Sequence, residues 1–108
     1  MSSERAQETA SAWEDLQAAR LAAVRRELAA RGVEALLVCS PENRRYLSGF
    51  SARDYLITES SGYLLISETA AYLLTDFRYQ EWAAAEAPRF TIQVYQQGLG
   101  KQLAALLA

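Results

Sequence analysis

The sequence predicts an α/β domain, a mixed β-sheet with helices on both faces. Three observations predict it. Helical periodicity alternates along the chain with short apolar runs of strand length. Two of those runs flank a short polar turn, which reads as an antiparallel hairpin. A second helical segment then leads to a fourth strand, which a right-handed crossover places parallel to the first.

Residues 1–12, rich in Ser, Glu and Gln, read as a disordered or frayed tail, and residues 13–108 as the folded domain. Helical periodicity holds from about Ser11 to Arg31, with Trp13, Leu16, Leu21, Val24 and Leu28 near one face. Gly32 supplies the C′ glycine, and Arg31 suits the negative end of the helix. Ala35 to Cys39 is an unbroken apolar run, which predicts a strand covered on both faces with Cys39 as an inert buried thiol. Ser40-Pro41-Glu42-Asn43 opens a short helix with Pro41 at N1, and Ser48-Gly49-Phe50 ends it. Asn43 reads as a turn or cap residue, and Tyr46 and Leu47 as core.

Ser51 to Ser61 is a polar loop, long for a compact domain, and such loops carry function more often than short ones. Gly62 to Ser67 and Ala71 to Asp76 form the hairpin around Glu68 and Thr69. Asp76 is placed to cap a helix over about Arg78 to Ala87, in which Trp82 packs on the sheet and which Pro88 stops. Thr91 to Tyr95 alternates as a strand. Leu99, Leu103, Leu106 and Leu107 predict a last helix with a core-facing stripe.

Composition excludes several functions. The chain of 108 residues suits one domain, and with 22% charged residues and a net charge of -2 it carries no basic stripe for nucleic acid. No apolar run is long enough to span a bilayer, so no membrane partner is expected. The single cysteine, Cys39, cannot form an internal disulfide, and the polar start lacks the apolar stretch of a signal peptide; both predict a cytoplasmic protein. There is no histidine, which removes Ser-His-Asp and Cys-His catalysis and any His-ligated metal. Asp15, Asp54 and Asp76 are the three aspartates, and none sits in a ligand-like cluster. The five glycines form no phosphate-binding loop. No catalytic residue and no metal ligand is expected in this segment.

The residues Gly32-Val33-Glu34-Ala35-Leu36-Leu37-Val38, then Asn43-Arg44-Arg45-Tyr46-Leu47-Ser48-Gly49-Phe50, resemble the opening of the N-terminal domain of the creatinase, prolidase and Xaa-Pro aminopeptidase family. Gly62-Tyr63-Leu64-Leu65-Ile66 and Leu74-Thr75-Asp76-Phe77-Arg78-Tyr79 follow in the same order and spacing, so the resemblance covers about Glu14 to Ala108. It implies a ribonuclease-H-like sheet that lacks its last strand here. It also implies a catalytic domain C-terminal to residue 108, with two divalent metal ions held by aspartates, glutamates and a histidine that have no counterparts in these residues. The implied parent cleaves Xaa-Pro peptides as an aminopeptidase or dipeptidase. This domain would then contribute homodimer or higher-oligomer contacts and access for the peptide substrate. Two other readings stand: a free-standing α/β interaction module, and the N-terminal domain of a creatinase-type C–N hydrolase.

By position, the resemblance makes Phe50 to Ser61 a substrate-access loop, with Phe50, Arg53, Asp54 and Tyr55 as its candidate residues. Arg53 would meet a substrate carboxylate through paired hydrogen bonds, or else form a solvated pair with Asp54. Phe50 and Tyr55 would line an apolar wall, or else pack back onto the domain. Asp76, Arg78 and Tyr79 are candidates for an interface or for a helix cap with an ion pair.

Overall fold

A computed structural model describes residues 2–53, 60–96 and 98–107, with side chains from residue 12 onward. Helix α1 spans Ser2–Arg31. It starts well before the point at which periodicity predicts a helix, through the segment read as a tail, because Ala, Glu and Gln propagate helix without needing an apolar face. Its end is the expected one. Gly32 takes φ 65°, and the Val33 N–H reaches Leu28 O at 2.9 Å, closing a Schellman turn.

Strand β1 (Ala35–Val38) leads into α2 (Pro41–Ser48). Ser40 caps α2 by accepting the Asn43 N–H, Pro41 opens it, and Gly49 at φ 86° ends it. A side chain at Gly49 would be excluded twice over, since an added Cβ would lie 2.9 Å from Glu86 O. The hairpin is β2 (Tyr63–Ser67) and β3 (Ala71–Thr75), antiparallel as predicted. A 3-10 helix (Phe77–Tyr79) runs into α3 (Gln80–Glu86), then β4 (Thr91–Val94) and α4 (Leu99–Leu107).

The sheet order is β1-β2-β3-β4. β1 pairs antiparallel with β2, and β3 pairs parallel with β4. The fourth strand therefore runs parallel to the first, as expected, though at the opposite edge. Cross-strand partners Leu64 and Leu73 share a face with Ile66. These three form one core with Leu21 and Leu28 of α1, Leu47 of α2, Phe50, Ala83 of α3 and Phe90. Leu65 and Leu74, on the other face, are buried outside that core. Helix α4 reaches this second face, where Gln102 Nε2 donates to Gln93 Oε1 at 3.1 Å.

Four burial expectations are corrected. β1 is an edge strand, so Leu36 and Leu37 stand 38% and 36% exposed and Cys39 is exposed rather than buried; an apolar run does not tell an edge strand from a central one. In α1, Trp13 and Leu16 are exposed and Gln17 is buried instead. The Gln17 amide, oriented to face its acceptors, donates to the Leu47 and Tyr46 carbonyls at the end of α2, which compensates its burial. Tyr46 is 54% exposed, while Leu47 is core as predicted. The leucines of α4 are not core: no residue of α4 is buried, and Leu107 is 62% exposed. No helix among the described residues is long and apolar enough to cross a membrane.

Candidate functional site

Arg44 organises the base of the loop after α2. Helical spacing puts Arg44, Leu47 and Ser48 on the inward face of α2, and all three are buried. The guanidinium lies between the two feet of the loop. Its Nη2 donates to Ala52 O at 2.7 Å, and its Nη1 donates to Gly62 O at 2.8 Å and to Ser60 Oγ at 3.3 Å. Its centre also sits 5.8 Å from the Phe50 ring centroid. A fully buried cation is costly unless its N–H groups find acceptors, and here backbone carbonyls supply them.

Further bonds tie the same two feet. Ser61 Oγ donates to Arg53 O at 2.7 Å, joining the outgoing and returning chains. Thr75 Oγ1 donates to Ser61 O at 2.6 Å, fastening the return to β3. The Ser51 N–H and hydroxyl both donate to Glu86 Oε1, at 3.0 and 2.8 Å, fastening the exit to α3.

The predicted loop residues are placed as follows. Phe50 is wholly buried, so it takes the packed-back role and lines no open wall of this chain. Its ring meets Tyr79 at 6.3 Å and Trp82 at 5.6 Å, both edge-on. Trp82 itself is 42% exposed, so it covers the aromatic cluster rather than sinking into the sheet. Arg53 is exposed. Asp54 and Tyr55 lie outside the described residues.

Asp76 accepts the Arg78 N–H at 2.9 Å and so caps the 3-10 helix. It also holds the Arg78 side chain, Nε to Oδ1 at 3.1 Å and Nη2 to Oδ2 at 2.8 Å. The hydrogen bonds from Arg78 keep the Asp76 carboxyl below the ordinary carboxylate value. Arg78 lies 5.3 Å from the Tyr79 ring, and Tyr79 touches Phe50, so the two predicted groups meet through these rings. Nearby, burial and the adjacent Tyr63 push the Tyr95 phenol up from its ordinary value.

Sequence reasoning missed Arg44, Glu86 and Thr75. A usable signal was present for Arg44, which falls three residues before the apolar Leu47 on a short helix and hence on its buried side. No sequence signal pairs Glu86 with Ser51 across 35 residues. Among the described residues, no group of three His, Cys, Asp or Glu side chains is placed to hold a metal ion. The described residues therefore do not fit a metal centre, and what the arrangement can do chemically is hold residues 51–53 and 60–62 together at the base of the loop.

A family model described as the creatinase/prolidase N-terminal domain matches residues 20–108. The chain is similar to the crystal structure of an Xaa-Pro aminopeptidase from Streptococcus pyogenes, with 33% identity, TM-score 0.75, and coverage of 87% of this chain and 67% of that one. It is also similar to the N-terminal domain of the cytoplasmic peptidase PepQ from Mycobacterium tuberculosis, with 34% identity, TM-score 0.67, and coverage of 82% and 63%. Over 61 residues it is 38% identical to the uncharacterized peptidase YqhT of Bacillus subtilis, a match spanning 56% of this chain and only 15% of that protein.

Proposed function

We propose, from the premise that this chain belongs to the creatinase/prolidase N-terminal domain family, that it is the non-catalytic domain of a cytoplasmic Xaa-Pro aminopeptidase or dipeptidase. The bond-breaking metal site lies in a domain encoded after residue 108. The present residues shape access to that site and supply subunit contacts. The observation that carries the reading is the family match over residues 20–108, whose residues bring the two feet of the loop together around Arg44. In such a parent the following domain would supply the metal chemistry for peptide hydrolysis, and this domain's loop would limit which peptides arrive.

The test compares two products, residues 1–108 and the same chain extended through its downstream reading frame. Each is incubated with an Xaa-Pro dipeptide, a longer peptide with proline second, and creatine, with and without added divalent metal. The reading expects metal-dependent release of the residue before proline by the extended product alone. Turnover by residues 1–108 alone, or creatine as the preferred substrate, overturns it.

A further inference from the structure

A basic groove opens between the middle of α1, the tip of the β2–β3 hairpin and the turn into β4. It holds about 770 Å3, within the range of small-molecule sites. Three arginines line it, Arg25 and Arg26 from α1 and Arg89 from the turn before β4, and Thr69 at the hairpin tip adds a hydroxyl. Most of the remaining wall is apolar, and among the described residues no carboxylate lines it. This local charge runs against that of the whole chain, whose formal net charge is -2.

No counter-charge holds these guanidinium groups. Elsewhere in the chain Arg31 pairs with Glu27 at 3.1 Å and Arg78 with Asp76 at 2.8 Å. Arg26 and Arg89, by contrast, have no hydrogen bond or ion pair to a described residue. The adjoining hollows contain Glu68 beside Arg25, and Glu14 and Glu86 beside Arg89, yet none of these carboxylates pairs with a groove arginine. Arg25 is already fixed, because its Nε donates to Ser67 O at 2.9 Å. That bond uses one donor and leaves both Nη groups for a ligand. An arginine ordered before binding loses less freedom when a ligand arrives. Like charges gathered without a counter-charge repel one another, so an anion in the groove relieves repulsion as well as forming bonds.

The chemistry of the groove selects the anion. A guanidinium offers paired N–H groups that match two oxygens of a phosphate or a carboxylate. One carboxylate would neutralise only one of the three charges, whereas a phosphate monoester carries about -1.5 to -2 at neutral pH and a diphosphate carries more. Nucleic acid would need a basic surface that continues past the groove, and there Glu14, Glu68 and Glu86 stand instead.

We infer that this groove is a binding site for a small phosphate-bearing anion, held by Arg25, Arg26 and Arg89. Peptide hydrolysis does not call for such a site, so it stands or falls apart from the proposed function.

The test titrates the 108-residue chain with inorganic pyrophosphate at low ionic strength, by isothermal titration calorimetry, with acetate and a polyglutamate peptide as comparison probes. Pyrophosphate is expected to bind one to one with a dissociation constant below about 1 mM, and acetate at least about tenfold more weakly. Arg26 and Arg89 are exposed, so Arg26→Gln and Arg89→Gln should leave the circular dichroism spectrum unchanged. Each is expected to weaken pyrophosphate binding at least about tenfold. Arg45→Gln, an exposed site on α2 outside the groove, serves as the control and is expected to keep wild-type affinity. Absence of saturable pyrophosphate binding overturns the inference. So does binding that survives both groove substitutions, which would place the anion elsewhere. Acetate binding as tightly as pyrophosphate overturns the choice of phosphate, and polyglutamate binding more tightly assigns the groove to an acidic protein segment instead.

Discussion

Arg44 and Arg78 both sit on short helical segments, and their surroundings give them different weight. Arg44 is fully buried and donates to two backbone carbonyls and a serine hydroxyl, joining residues 8 to 18 positions away. Arg78 has a side chain 60% exposed and holds a carboxylate two residues back. The exposed pair has stronger formal charges and the better bidentate geometry, yet water competes for it. The buried arginine donates to the Ala52 and Gly62 carbonyls, which would each lose that donor without it. In this domain the cost of leaving a buried group unpaired outweighs the attraction between exposed charges.

The largest expected effect follows from removing the buried member. Arg44→Met keeps length and burial but leaves the Ala52 and Gly62 carbonyls without their donor. It is expected to lose about 3 kcal/mol of stability, with the melting temperature falling by roughly 10–20 °C. Thermal denaturation followed by circular dichroism measures it. An unchanged melting temperature would mean that water replaces the guanidinium and would break the contrast with Arg78.

Glu86→Gln is intermediate. It keeps an acceptor oxygen for Ser51 but removes the charge from two partly buried hydrogen bonds. The expected loss is about 1 kcal/mol, read as a shift in urea midpoint at unchanged slope.

Asp76→Asn is smallest, because asparagine still caps a helix and only the exposed ion pair is lost; about 0.5 kcal/mol is expected. Its pH dependence sharpens the comparison. The Asp76 carboxyl is lowered in the folded state, chiefly by the Arg78 hydrogen bonds. Its contribution is therefore complete above the ordinary value of 3.8 and lost as pH falls through the lower folded value. The gap between wild type and Asp76→Asn should close below that pH in urea titrations. A gap that persists in acid would assign the effect to the cap and not to the charge.

Much of the fold is legible in the residues themselves. Ser40, Pro41 and Gly49 bound α2, Gly32 ends α1, Asp76 caps the turn after β3, and the polar turn between Ser67 and Ala71 makes the hairpin. Each signal acts within a few residues, where a side chain meets its own backbone. The candidate site is less legible. Phe50 reads equally as a wall residue or as one that packs back, and its contacts with Tyr79 and Trp82, which follow it by about 30 positions, decide for the second. The acceptors of Arg44, Ala52 and Gly62, lie 8 and 18 positions away, beyond the reach of helical spacing.

The sequence alone determined the kinds of segment, their order and their ends, and it removed histidine chemistry by composition. Tertiary structure alone decided that β1 lies at an edge, that Gln17 and not Leu16 is buried, that the α4 leucines stay outside the core, and that Arg44 is sealed in. The reason is range. Caps and periodicity depend on neighbours three or four positions apart. Burial and strand order depend on contacts such as Thr75 to Ser61 and Arg25 to Ser67, 14 and 42 positions apart, which exist only once the sheet has formed.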